Sequence, residues 1–352
     1  MKLFTMGPVQ MQEDILQLGS KQLPYFRTEE FSEINRKVCE NIKELIGADR
    51  EDSAYLLTCS GSGAMEAAIT SCFDEKDKLF IINGGSFGQR FCDICKVHHI
   101  PYVECQIELE EVLTYEKLAA VYDETCTALV VNMHETSIGK LYDMEMLSKF
   151  CREKNLYFVV DAISSFLADE IFFQKWNVDI AIMSSQKAMA LPPGMATIVC
   201  SVRMVEKMQT ITPVSFYFDL KAYGRNMERG QTPFTPAVGI ILQMEKMLSD
   251  IRDKGIETQM EEIRKKAYYF REKAVERGLI IPAYPLSNAL TPIWFDGNAK
   301  KIYQRIIEKN DMYVTPSGGA LENHLLRVGH LGSLGLKDYD ELLDAIVLCM
   351  EK

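Results

Sequence analysis

The chain has 352 residues, 47% of them hydrophobic and 25% charged, a composition that supports a large buried core and argues against a disordered or membrane-embedded protein. A net charge of −11, from 39 basic and 50 acidic residues, argues against a surface built for nucleic acid or anionic lipid, yet leaves room for a local basic pocket. The length suggests about two domains, and ten cysteines without an apolar leader at the start read as a reduced, cytoplasmic protein rather than a disulfide framework.

In chain order, an amphipathic helix over 29–46 precedes a strand over 54–58 and the turn Ser60-Gly61-Ser62-Gly63, which opens a helix over 63–73. Free amides at that helix start, two hydroxyls and bare glycines would make a phosphate cup. The same turn also caps helices for no other purpose, and it lacks the lysine of a P-loop. A strand over 78–82 leads to Gly84-Gly85-Ser86-Phe87-Gly88-Gln89-Arg90 and a helix over 87–98, where Phe87 either packs in the core or stacks on a flat ligand. Cys92, Cys95, His98 and His99 share that helix, but half of a zinc ligand set is missing, so packing is the reading and no metal is expected.

A strand over 128–133 ends at His134-Glu135-Thr136-Ser137-Ile138-Gly139, whose hydroxyls serve a turn or a ligand oxygen. Beyond a helix over 144–154, the apolar run over 156–160 closes on Asp161. Strands over 179–183 and 197–200 flank Ser184-Ser185-Gln186-Lys187-Ala188-Met189. Gln186, and Thr235 in Thr232-Pro233-Phe234-Thr235-Pro236, are candidate phosphate donors, with turn formation or capping as the plainer role. A long helical pattern over 236–275 then gives way to shorter strands over 289–294 and 325–329 with helices around them.

Strands alternating with helices specify an α/β fold with a mainly parallel sheet sandwiched by helices. The later change of texture specifies a smaller C-terminal α+β domain, so the expected division is 1–250 and 251–352. In such a sheet ligands gather beyond the carboxyl ends of the strands, where Ser60, Asp161 and Lys187 all fall. Lys187 reads as a reactive amine able to form a Schiff base, and Asp161 as a carboxylate able to keep a pyridinium nitrogen protonated. Pyridoxal phosphate chemistry needs that pair, although either residue alone reads as a buried ion pair or a solvated charge.

Taken together, Gly7-Pro8-Val9, Ser60-Gly61-Ser62, Phe87-Gly88 with Arg90, Glu135-Thr136-Ser137 with Gly139, Asp161-Ala162 with Ser164-Ser165, Ser185-Gln186-Lys187 and Arg327-Val328-Gly329 with Gly332 resemble class V, fold-type I pyridoxal-phosphate enzymes nearly end to end. The likeness is to the group of alanine-glyoxylate, serine-glyoxylate and 2-aminoethylphosphonate-pyruvate aminotransferases. It implies transamination between a small amino acid and a small 2-keto acid, with 2-aminoethylphosphonate and pyruvate as the alternative pair. Under it, Lys187 carries the cofactor and shuttles the proton, Asp161 meets the ring nitrogen, Phe87 stacks on the ring and Thr136 contacts the phenolic oxygen. Ser60, Gly61, Ser62 and Gln186 hold the phosphate, joined by Thr235 of a second copy in a homodimer. Arg327 clamps the substrate carboxylate, and Gly7 stands at the substrate.

The chain departs from the family at Cys59 and Ser62, where glycine and threonine are common, at Met6, where proline is usual, and at Ile138, where a hydroxyl is frequent. A desulfurase or lyase is disfavoured because 315–330 holds no cysteine. The rival outside this chemistry is a non-catalytic sheet protein that binds a phosphorylated ligand.

Overall fold

The computed structural model describes residues 1–350. Its central sheet has seven strands, in the spatial order Ser53–Leu57, Ala196–Cys200, Ile180–Ser184, Tyr157–Asp161, Ala128–Asn132, Leu79–Asn83 and Tyr102–Gln106. Ala196–Cys200 alone is reversed, pairing antiparallel with both neighbours, and the other six point the same way. Four of the strands are buried along their whole length, which is why LFIIN, ALVVN, IAIMS and ATIVC read as continuous apolar runs instead of alternating ones. Tyr102–Gln106, at the sheet edge, buries only Cys105, and its mixed sequence shows no such run.

Helices cover both faces of the sheet. Glu29–Ile46, Met144–Lys154 and Val238–Lys254 pack Val38, Ile42, Leu147, Phe150, Met244 and Leu248 into one core. Gly61–Cys72 and Ser86–Val97 pack Met65, Ile69, Phe91, Cys92 and Cys95 into the other. Cys92 and Cys95 are thus core side chains, while His98 Nε2 lies 2.7 Å from Glu66 Oε1. Among the described residues no three His, Cys, Asp or Glu side chains are placed to hold a metal ion. No described helix is long and apolar enough to cross a membrane.

A second, antiparallel sheet of Leu290–Trp294, Leu325–Gly329 and Thr315–Pro316 shares a separate core with the helices Ile256–Glu276, Ala299–Asn310 and Leu336–Met350. The N-terminal strand Lys2–Leu3 pairs parallel with Met312–Tyr313, and Phe4 belongs to that core. The first residues therefore start in the small sheet's territory and run toward the large sheet at Gly7.

The single helix expected over 236–275 is in fact two, Val238–Lys254 and Ile256–Glu276. Gly255 separates them at φ 90°, ψ 134°, a backbone conformation open to glycine and strained for other residues. The division expected at 250/251 falls inside the first of these helices, just short of its end.

Candidate active site

The six co-directional strands end at one edge of the sheet, and five of them lead into segments that carry the candidate site residues. Asp161 terminates its strand opposite Ile182 of the adjacent strand, and Lys187 follows five residues after Ile182. The turn carrying Lys187 is tied down on both sides. Ser185 Oγ donates to the Pro192 carbonyl at 2.6 Å and accepts from the Met195 amide at 3.3 Å, and the Leu191 amide donates to the Ser185 carbonyl at 3.1 Å. Gly7 closes the other side. At φ 142°, a Cβ there would sit 2.8 Å from the Gln186 carbonyl oxygen and 3.2 Å from Lys187 Cδ, so the N-terminal arm lies against the lysine stem.

Electrostatics set the two ionisable groups apart from their ordinary behaviour. Burial lowers the Lys187 amine from 10.5 to about 8; Arg327 and Arg90 push the same way, and Asp161 opposes. Burial raises the Asp161 carboxyl from 3.8 to about 6, against two hydrogen bonds that favour its ionised form. Those bonds come from the Ile163 amide to Oδ1 at 2.8 Å and from Asn132 Nδ2 to Oδ2 at 2.5 Å. Both donors are neutral, so the buried carboxylate still lacks a cation in hydrogen-bond contact.

Ser60 caps the helix Gly61–Cys72, its hydroxyl accepting from the Gly63 amide at 3.4 Å, and the first-turn amides of Gly61 and Ser62 have no acceptor inside the helix. Arg90 Nη1 donates to Ser62 Oγ at 2.7 Å, and its guanidinium carbon lies 4.7 Å from the centre of the Phe87 ring. A cation thus joins the cup. Gln186 Oε1 is buried without a partner. Thr136 Oγ1 is 2.6 Å from Ser164 Oγ, and the Thr136 carbonyl accepts from Arg327 Nη1 at 2.8 Å. Arg327 Nη2 donates to the Pro316 carbonyl at 2.6 Å, and burial lowers this guanidinium to about 10 with Glu135 opposing. Thr235 stands apart: it is exposed, on a segment docked near the cup by the Ala237 amide donating to Thr58 Oγ1 at 3.0 Å.

Three residues with no role expected from the sequence hold these groups in place. Asn132 is the register partner of Asp161 on the neighbouring strand, and only strand order reveals that. Arg90 was visible as part of a motif but not as a neighbour of Ser62. Glu135 replaces a missing cap. Gly85 begins the helix Ser86–Val97 with no side chain of its own, and the buried Glu135 carboxylate accepts from the Phe87, Gly88 and Ser137 amides at 3.4, 3.0 and 3.1 Å. Phe87 and Thr136 are thereby held in one frame. Glu135→Gln keeps the size but replaces charged acceptors with one neutral oxygen, so we expect unfolding free energy to fall by about 1–2 kcal/mol, read as a lower urea midpoint with unchanged slope.

The donor set suits a flat, phosphate-bearing aldehyde with a ring nitrogen, which is pyridoxal phosphate. An amine partly unprotonated near neutrality can attack an aldehyde, a neutral-partnered buried carboxylate calls for a ring N–H⁺, and a helix start with two serines and an arginine suits a dianion.

Residues 23–280 match the family model described as aminotransferase class-V. A Helicobacter pylori protein named an uncharacterised aminotransferase is 28% identical over 99% of this chain and 94% of its own length. A Paracoccus denitrificans protein named L-aspartate–glyoxylate aminotransferase is 26% identical over 94% of this chain and 86% of its own. The crystal structure of an alanine–glyoxylate aminotransferase from Nostoc superposes with a TM-score of 0.93 at 22% identity, covering 99% of this chain and 94% of that one, which shows the shared fold.

Proposed function

The chain belongs to the class-V aminotransferase family and is a pyridoxal-phosphate-dependent transaminase, and from that premise we propose that it moves an amino group from a small amino acid to a small 2-keto acid such as glyoxylate or pyruvate. The observation that carries this reading is the pairing of Lys187 and Asp161 on adjacent strand ends, one shifted toward the free amine and the other buried without a cation. Relatives named for glyoxylate support the acceptor class.

When bound, the cofactor supplies an aldehyde carbon for amines to join and a ring that takes up an electron pair. Lys187 holds it at rest, then, once displaced by the donor, accepts the donor's α-proton and later returns a proton. Asp161 keeps a proton on the ring nitrogen, and Asn132 with the Ile163 amide fixes the carboxylate that does so. Phe87 offers its ring as a stacking platform, Thr136 a hydroxyl for the phenolic oxygen, and Ser60, Gly61, Ser62 and Gln186 a cradle for phosphate.

Arg327 orients the substrate carboxylate. Two of its five N–H groups are engaged by the Thr136 and Pro316 carbonyls, and the others remain for a ligand. Gly7, whose missing side chain lets the N-terminal arm lie against the Lys187 stem, stands at the substrate. Thr235 serves the phosphate of a second copy in a cytoplasmic homodimer, a role supported by its exposure next to Phe234, whose ring lies 5.4 Å from that of Phe216, itself 87% exposed.

The test is a near-visible absorption band in the purified protein that bleaches with alanine or serine and returns with glyoxylate or pyruvate, with the matching keto acid formed in equal amount. A colourless protein that exchanges no amino group with any pair, 2-aminoethylphosphonate and pyruvate included, would refute the reading.

A further inference from the structure

Beside Arg327 lies a cleft of about 570 Å³, walled by the glycine turn at 84–86, by Ser137 and Ile138, by the segment around Ser317 and Leu321, and by Leu109. From its chemistry we infer that the preferred donor is an amino acid whose side chain is uncharged, apolar and larger than a methyl group, an inference that rests on the transaminase reading and moves its best donor beyond alanine and serine.

The charge of the cleft is concentrated at one residue. Among the described residues Arg327 is the only charged one in the lining, and Arg327 Nε is buried without a partner, as is Ser317 Oγ. Only two of the five guanidinium N–H groups have carbonyl partners, so a ligand carboxylate at Arg327 would meet donors that the protein leaves free. That carboxylate occupies the single cation the cleft offers. Cations on the neighbouring segments are engaged elsewhere: Lys140 Nζ donates to the Glu108 and Glu111 carbonyls at 2.9 and 2.7 Å and lies 4.9 Å from the Tyr284 ring centre, and Arg90 Nη1 donates to Ser62 Oγ at 2.7 Å. Ser137 is occupied too, its hydroxyl donating to Glu135 and accepting the Ser86 amide at 3.2 Å.

What remains is an apolar wall. Ile138 is buried in a cluster with Tyr284 and Leu325, against which Leu109 and Leu321 pack, so the three aliphatic side chains that line the cleft are backed by more apolar surface. A side chain bearing a second carboxylate or a phosphate would lose its hydration here with no cation to replace it. An aliphatic or aromatic side chain gains by leaving water.

The experiment uses the cofactor-loaded enzyme and follows the amino-donor half-reaction with alanine, leucine, methionine, aspartate, phosphoserine and 2-aminoethylphosphonate. Leucine or methionine should exceed aspartate and phosphoserine in kcat/KM by at least about tenfold, and should exceed alanine as well. Leu321→Arg supplies a second cation and should raise the aspartate-to-leucine ratio at least about tenfold; Leu109→Arg makes the same test from a different segment if the first variant fails to fold. A wild-type enzyme that prefers aspartate, phosphoserine, alanine or 2-aminoethylphosphonate overturns the inference while leaving transamination standing. So do two folded arginine variants with unchanged ratios. Absence of exchange with every donor overturns the transaminase reading and this one together.

Discussion

Replacing Lys187 by alanine should abolish the near-visible band and lower turnover by at least about 10⁴-fold, the upper range for a positioned acid–base group, because the same amine both carries the cofactor and moves the proton. Lys187→Arg should fail as completely. It keeps the positive charge, but a guanidinium does not give up its proton at any working pH. A charge-only role for Lys187 would predict that arginine rescues, so the two variants separate the roles. The environment adds a pH signature. In protein stripped of cofactor, capture of an aldehyde by Lys187 should rise with pH through a midpoint near 8, where an ordinary lysine would need about 10.5. Arg327 contributes to that lowering by repelling the ammonium form, so Arg327→Gln should move the midpoint upward. Mass spectrometry after borohydride trapping, across a pH series, measures both shifts. A midpoint at about 10 or above in the wild-type protein would show that the amine is not in the surroundings described.

Much of this site could be read from the chain because its key residues are local to strand ends. Asp161 closes the run Tyr157–Val160, and Lys187 sits three residues beyond Ser184, so the apolar strands announce the charged residues that follow them. Ser60 likewise carries its signal in the Gly/Ser turn before a helix, although the helix begins at Gly61 and not at 63. The residues that hold these groups in place were not legible, for a common reason. Asn132 acts on Asp161 only because Ala128–Asn132 is its neighbour in register, and Glu135 caps a helix that starts some 50 residues earlier in the chain. Such contacts depend on which strands lie side by side, and a periodicity carries no record of that. The one misread element has a local cause. Amphipathic patterning on both sides of Gly255 lets the two helices read as one, although the five-residue step from Ile251 to Ile256 is out of helical phase at the backbone break that glycine permits.

Asp161→Asn should separate stability from activity. Turnover of the cofactor-loaded enzyme should fall about 10²–10³-fold, since a neutral amide no longer holds the ring nitrogen in its protonated form and the developing negative charge loses its sink. The stripped protein, by contrast, should be as stable as the wild type or more so. The introduced carboxamide would still accept the Ile163 amide through its oxygen, and its new N–H groups need an acceptor where Asn132 Nδ2 now donates. Asn132 Oδ1 is buried and unpartnered, so a flip of that amide supplies the acceptor without moving the backbone. The pH dependence follows from the direction of the shift. Asp161 has a folded value of about 6, raised above 3.8, so between those values the folded wild type binds more protons than the unfolded chain, and its stability falls as pH rises through that window. The asparagine variant carries no such penalty. Its advantage should therefore be absent below about pH 4 and reach up to about 3 kcal/mol above pH 6, at roughly 1.4 kcal/mol per unit. Urea unfolding of both stripped proteins at about pH 4, 6 and 8 measures this. A variant less stable than wild type at the highest of these would mean that the carboxylate is already paired with a cation before any cofactor binds, and the electrostatic basis assigned to Asp161 would fail.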